Sequence, residues 1–137
     1  MAQSINELNL SRFNLEKSLH FLLSCIYDSN VTHLTLRDNC IDATGAQILK
    51  EFYQFHPKLL HLSLDNNMIR SQGIREIAEI LRDNTTLTSL DLQGNSIGPD
   101  GIYYIVNSLQ ENTTLTSLDI SFNTMGKTPY PLFSKLL

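Results

Sequence analysis

One eight-residue segment, NTTLTSLD, occurs twice in this 137-residue chain, beginning at Asn84 and again at Asn112. The two copies are therefore 28 residues apart. Self-similarity at a period of this size indicates stacked structural repeats, each too small to bury its apolar face alone. Such a stack presents one row of side chains per repeat on a shared face. We expect any binding function to depend on that face.

The 28-residue register continues outside the duplicated segment, where the pattern L-x-x-L-x-L-x-x-N-x-I occurs four times. Its positions are Val31, Leu34, Leu36, Asn39, Ile41; Leu59, Leu62, Leu64, Asn67, Ile69; Leu87, Leu90, Leu92, Asn95, Ile97; and Leu115, Leu118, Ile120, Asn123, Met125. The pattern resembles the leucine-rich repeat family, in particular its long-repeat, ribonuclease-inhibitor-like subtype. The resemblance covers nearly the whole chain and implies a strand and a helix in each repeat.

Periodicity within each repeat supports the same architecture. The L-x-L pair places two leucines on one face of a strand and the residue between them on the other. The second half of each repeat has apolar residues at helical spacing, such as Ile74, Ile77, Ile80 and Leu81. We therefore predict an α/β solenoid, a short horseshoe segment of about five repeats, with parallel strands on the concave face and helices on the convex face.

The repeat register also predicts the domain organisation, a single leucine-rich-repeat domain over residues 1–137. Its units are an N-terminal capping repeat at 1–30, regular repeats at 31–58, 59–86 and 87–114, and a C-terminal partial or capping repeat at 115–137. In the first unit Ile5, Leu8, Leu10 and Leu15 fit the pattern, but Phe13 replaces the asparagine. In the last, Pro129 and Pro131 restrict 131–137 to a short turn or helix. This end is either a native cap or a cut in a longer array.

Two sets of recurring residues are interpreted as scaffold. Gly45, Gly73 and Gly101 stand where the chain enters each helix and needs tight packing or permissive backbone angles. The asparagines form a structural ladder, which the resemblance implies bonds the backbone of the turns between repeats: Asn39, Asn67, Asn95 and Asn123. A buried polar side chain needs such partners.

The resemblance implies that a protein partner binds the outward-facing side chains of the concave face. Five strands at ~4.8 Å spacing give a floor ~20 Å wide. With the adjoining loops, that floor supplies the ~800 Å² per partner of a standard interface. The candidate partner-binding residues are Glu7, Asn9, Arg12, His33, Thr35, Arg37, Asp38, His61, Ser63, Asp65, Ser89, Asp91, Gln93, Ser117, Asp119, Ser121 and Phe122.

Charge is distributed unevenly along these residues. The net charge is −4, and the segment 83–126 contains five acids but no Lys or Arg. Asp91 beside Asp119 favours a partner with a basic surface patch. The alternative is that these acids are ordinary consensus residues exposed to solvent. No face carries the clustered Lys and Arg of a nucleic-acid-binding protein.

Individual residues raise further alternatives. His33 and His61 are neighbours in one column, but two ligands are too few for a metal site, and we predict neither metal nor cofactor. Phe122 is either an exposed anchor for a partner or packs under the C-terminal cap. Cys25 and Cys40 have no spacing that suggests zinc or a disulfide framework, so they are predicted to be free thiols.

No nucleophile, base and orienting group converge by spacing, and no glycine loop precedes a helix in phosphate-binding form. We therefore predict no enzymatic activity. The expected function is a protein-protein interaction module, and the family's namesake suggests inhibition or masking of a partner enzyme. The alternative is a GTPase-activating or an actin-capping or sensor-type repeat domain cut from a longer protein.

The N-terminus lacks the organisation of a secretory signal, and no apolar run approaches the ~18 residues of a membrane span. These features predict a cytoplasmic protein that binds no membrane. Twelve Asn, twelve Ile and only four Ala are typical of an AT-rich genome. A compact repeat protein of this composition resembles the effectors that intracellular bacterial pathogens of the Legionella-like kind inject into host cells. In that case the host cytosol is the expected compartment.

Overall fold

The computed structural model describes residues 6–56 and 58–124, in which short strands alternate with helices. In chain order the elements are β1 Glu7–Asn9, a 3-10 helix at Leu15–Lys17, α1 Leu19–Cys25, β2 His33–Thr35, α2 Ala43–Phe55, β3 His61–Ser63, α3 Arg70–Asp83, β4 Ser89–Asp91, α4 Pro99–Leu109 and β5 Ser117–Asp119. Three predicted features lie outside the described residues: Ile5, Met125 and the proline-containing end at 129–137.

The five strands form one parallel sheet in the order β1-β2-β3-β4-β5. The middle residues of neighbouring strands pair directly, so Leu8, Leu34, Leu62, Leu90 and Leu118 form one row. Successive strands are therefore 26 residues apart at the first step and 28 at each later one. The predicted α/β fold of five stacked leucine-rich repeats is confirmed.

The core lies between this sheet and the helices. Leu34, Leu62 and Leu90 are 1–3% exposed, and the facing helix residues Leu49 and Ile77 are equally buried. In β1 and β5 the corresponding leucines are only partly buried, because each terminal strand has a neighbour on one side. Along the described chain no helix is long and apolar enough to cross a membrane.

Each of the recurring glycines lies where a helix packs against the isoleucine four residues before it. A Cβ atom added to Gly45 would lie 2.6 Å from Cγ2 of Ile41, and the same distance separates an added Cβ on Gly101 from Cγ2 of Ile97. A side chain at these sites would displace a fully buried isoleucine. The requirement for glycine here is close packing.

Asparagine side chains connect each turn to the turn before it. Oδ1 of Asn67 accepts hydrogen bonds from the backbone N–H groups of Asn39 and Ile41, both at 3.0 Å. Its Nδ2 donates to the carbonyls of Leu36 and Leu64 at 3.0 and 2.8 Å. All four bonds recur at Asn123. Asn95 keeps three of them, since its Oδ1 accepts from the N–H of Ile69 and its Nδ2 donates to two carbonyls, so the turns are tied together along the array.

Candidate protein-binding face

The side of the sheet that faces away from the helices is called here the strand face. Its two columns of outward side chains pair in the predicted register, Glu7 with His33 at one end and Asp91 with Asp119 at the other. An open depression of about 530 Å³ lies over β1 to β4 and is lined by Asn9, His61 and Ser89 among others. The strand face is a shallow polar surface, suited to another macromolecule more than to a small molecule.

Two histidines stack at the centre of this depression. The ring centroids of His33 and His61 are 4.0 Å apart and the ring planes differ by 12°. Nδ1 of His33 lies 2.8 Å from Oγ1 of Thr32, and that hydroxyl also lies 3.3 Å from the carbonyl of Asn6. Within residues 6–56 and 58–124 no third ligand joins the pair to form a metal site.

A chain of ion pairs crosses the ends of β1, β2 and β3. Asp38 accepts from Arg12 at 3.1 Å and from Arg37 at 3.2 Å, and Arg37 also lies 3.3 Å from Asp65. The Arg12 hydrogen bond is the main reason that the pKa of Asp38 is below its ordinary value. Ser63 donates to Asp65. The two guanidinium groups are thus held in place by carboxylates while remaining partly exposed.

The structure places Asp65 in a different environment from the one that the sequence predicted. Sequence position placed it among the residues that contact a partner, but it is only 6% exposed. The hydroxyl of Ser63 and the guanidinium of Arg37 lie against its carboxylate. Asp65 therefore positions Arg37 rather than presenting its own carboxylate to a partner.

In the second half of the strand face, two carboxylates have no paired cation among residues 6–56 and 58–124. Oδ1 of Asp91 accepts from the N–H of Gln93, and Oδ1 of Asp119 accepts from both the N–H and the hydroxyl of Ser121. Desolvation is the main cause of a raised pKa at Asp91, whereas the Ser121 hydrogen bonds lower the pKa of Asp119. In the described part of the chain neither carboxylate forms a salt bridge.

A third column follows the strands and has left-handed backbone geometry. Its members have φ between 53° and 63°: Arg12, Asp38, Asn66, Gly94 and Phe122. A Cβ atom on Gly94 would lie 2.5 Å from Oδ1 of Asn66, so any other residue at this position requires the Asn66 side chain to shift. Phe122 is 84% exposed among the described residues, and the cap that was its alternative packing partner lies outside them.

Charges on the helix side also pair across repeats. Nζ of Lys50 in α2 donates to Glu76 and Glu79 in α3, at 2.5 and 2.8 Å. The signal that could have found the pairs is the repeat register, because Glu76 follows Lys50 by 26 residues and so belongs to the next helix.

Three segments of the sequence match a known protein family. Residues 27–49, 83–106 and 111–128 match the family model described as Leucine Rich repeat. These three segments are similar to leucine-rich repeats in sequence, and the strand and helix order of the structure agrees with that likeness. No curated protein matches the sequence.

Two solved structures are similar to this leucine-rich-repeat domain. One is leiomodin-1 actin-binding site 2, with a TM-score of 0.82 and 26% identity, over 96% of this chain and 78% of that one. The other is the tropomodulin C-terminal domain from Caenorhabditis elegans, with a TM-score of 0.77 and 16% identity, over 96% and 79% of the two chains. The second likeness concerns the fold alone.

Proposed function

We propose that this domain is a non-catalytic protein-binding module that uses the strand face and its adjoining loops. The observation that carries the proposal is the unequal charge of that face. Arg12, Asp38, Arg37 and Asp65 neutralise one another in the first half, whereas Asp91 and Asp119 have no paired cation among the described residues of the second half. A partner that contributes a Lys or Arg there would complete the pairing.

A non-catalytic role is supported at the contact of Thr32 with His33, which resembles a nucleophile with its base. The two side chains lie 2.8 Å apart. Among the hydrogen bonds of the described residues, none orients the other nitrogen of this imidazole, as the third group of such a catalytic site must. We interpret the contact as fixing the orientation of the His33 ring.

For the identity of the partner, the likeness to leiomodin-1 actin-binding site 2 favours actin. The proposal rests on 26% identity over 96% of this chain, and it agrees with the actin-capping alternative from the sequence. Neither similar structure supports masking of an enzyme, a ribonuclease-inhibitor-like subtype or origin as a bacterial effector.

The test is binding of the purified chain to monomeric actin and to actin filaments, by fluorescence anisotropy and by co-sedimentation. The double variant Asp91→Asn with Asp119→Asn should associate more slowly and show a flatter salt dependence, because electrostatic steering acts mainly on the association rate. The matched control is Asp100→Asn with Glu111→Gln, which removes the same charge from exposed sites outside the strand face.

Three results are informative. Unchanged kinetics and salt dependence in the Asp91 and Asp119 variant would place the contact elsewhere on the molecule. A failure of the unaltered chain to bind either form of actin would eliminate actin. An equal loss of binding in the control variant would mean that net charge, rather than the strand face, controls association.

A further inference from the structure

A second surface suited to protein binding lies between α1 and α2, on the helix side of the domain. Leu23 lines it from α1, Tyr27 lines it from the turn after α1, and Ile48, Phe52 and Phe55 line it from α2, around a groove of about 220 Å³. The three α2 residues are three, four or seven positions apart, so α2 contributes a single face. This surface is named the N-terminal helix groove.

The groove exists because α1 is short. It has 7 residues, whereas α2 has 13 and α3 has 14. At 1.5 Å per residue α1 is ~10 Å long against ~20 Å for α2, so part of α2 extends beyond its neighbour. Between α2 and α3 the corresponding gap is bridged by Lys50 with Glu76 and Glu79. No ion pair among the described residues bridges α1 and α2.

The walls of the groove are held rigid from beneath. His56 is 2% exposed, its ring stacks on Phe52 with centroids 4.8 Å apart, and its Nδ1 lies 2.5 Å from the carbonyl of Tyr27. These contacts fix the end of α1 against the end of α2. A surface that is ordered before binding loses less conformational entropy when a partner docks.

Two exposed aromatic rings line this groove. Phe55 is 66% exposed and Tyr27 is 43% exposed. Large apolar side chains clustered around a cleft are typical of a binding surface, because scattered exposure would place them singly over the molecule. The apolar character of the groove therefore indicates an apolar occupant.

Charged residues at the rim of the groove indicate which side chains a partner would carry. Glu51 lines the groove from α2, and Asp28 is an exposed residue that follows the lining residue Tyr27 in the chain; neither forms a salt bridge with any described residue. His20 is the basic residue that lines the groove. A complementary partner brings Lys or Arg to the carboxylates and apolar side chains to the floor.

From these observations we propose that the N-terminal helix groove binds an amphipathic helical segment of a partner protein. The segment carries apolar anchors at i, i+4 and i+7 and a Lys or Arg beside them. A helix laid between two helices restores the side-by-side packing that α2 has with α3. This site is separate from the strand face, so one domain holds two partners or two parts of one partner.

The probes are two designed 15-residue helical peptides with leucine at i, i+4 and i+7, identical except that one carries Lys and the other Glu beside the leucines. Fluorescence anisotropy with the full chain should show the Lys peptide binding about tenfold more tightly, because the Glu peptide is repelled by Glu51 and Asp28. Phe55→Ser should weaken the Lys peptide about tenfold. Glu51→Gln should reduce the difference between the peptides.

Two controls separate this site from the rest of the domain. Tyr103→Ser removes a comparably exposed aromatic residue, 52% exposed on α4, and should leave peptide binding unchanged. The double variant Asp91→Asn with Asp119→Asn should also bind the peptide normally, which distinguishes this proposal from that for the strand face. Circular dichroism melts of every variant exclude loss of the fold as the cause of weaker binding.

The proposal is overturned if the two peptides bind equally, if neither binds, or if Phe55→Ser and Tyr103→Ser have the same effect. Sedimentation equilibrium without peptide tests whether a second copy of the chain occupies the groove. A dimer that Phe55→Ser converts to a monomer would assign the groove to self-association and reject a helical partner segment.

Discussion

Replacing Asn67 by alanine tests the part of the structure that ties the repeats together. The substitution removes two acceptor contacts, leaving the N–H groups of Asn39 and Ile41 buried without a partner. It also removes the side-chain N–H that donates to the carbonyl of Leu36. The carbonyl of Leu64 still accepts a hydrogen bond from Asn95 at 2.9 Å. A buried unsatisfied group costs ~1–3 kcal/mol, so two donors and one carbonyl, each taken near the lower end of that range, predict a loss of about 3–4 kcal/mol.

The assay is thermal unfolding followed by circular dichroism, with urea titration at 25 °C as the independent measurement. At about 3 °C per kcal/mol for a chain of this size, Tm should fall by about 10 °C. The matched control is Asn107→Ala, at an exposed site on α4, which should change the free energy of unfolding by less than ~0.5 kcal/mol. A fall of less than ~3 °C for Asn67→Ala would refute the reasoning that these hydrogen bonds hold neighbouring turns together.

Two further substitutions probe backbone geometry and charge pairing. Gly94→Ala places a Cβ 2.5 Å from Oδ1 of Asn66 at φ 63° and should lower the free energy of unfolding by about 1–2 kcal/mol in urea titrations; full stability would mean the turn relaxes without cost. For Lys50→Gln, the measurement is the free energy of unfolding as a function of pH. The Lys50 hydrogen bond lowers the pKa of Glu79, so its stabilisation is complete above the unfolded-state pKa and is lost as pH falls through the folded-state pKa. Stability should therefore decline less between about pH 6 and pH 3 in the variant, and equal declines would contradict the assignment.

The fold could be predicted from the sequence because the same apolar pattern occurs in every repeat. Leucine spacing fixes which face of each strand is buried, and the 28-residue step fixes which residues pair. The stack of His33 on His61 follows from that register alone, since paired residues on parallel strands point to the same side.

The fine structure of the candidate site could not be predicted in the same way. Burial of Asp65 depends on the direction of the Arg37 side chain, and the neighbouring Asp38 has φ 53°, a geometry that repeat spacing does not encode. The N-terminal helix groove depends on where α1 ends. That boundary is set by local turn contacts after Cys25, and such contacts leave no periodic signal.

The direction of the asparagine hydrogen bonds has a consequence for biosynthesis. The backbone N–H groups of one turn donate hydrogen bonds to the asparagine side chain of the following repeat. For example, the N–H groups of Asn39 and Ile41 donate to Asn67. A ribosome makes the earlier repeat first, and at ~5–20 residues per second the next 28 residues take about 1 to 6 seconds. During that interval the newest turn lacks its acceptor. The ordered part of the nascent chain therefore ends one repeat before the last repeat that has been synthesised.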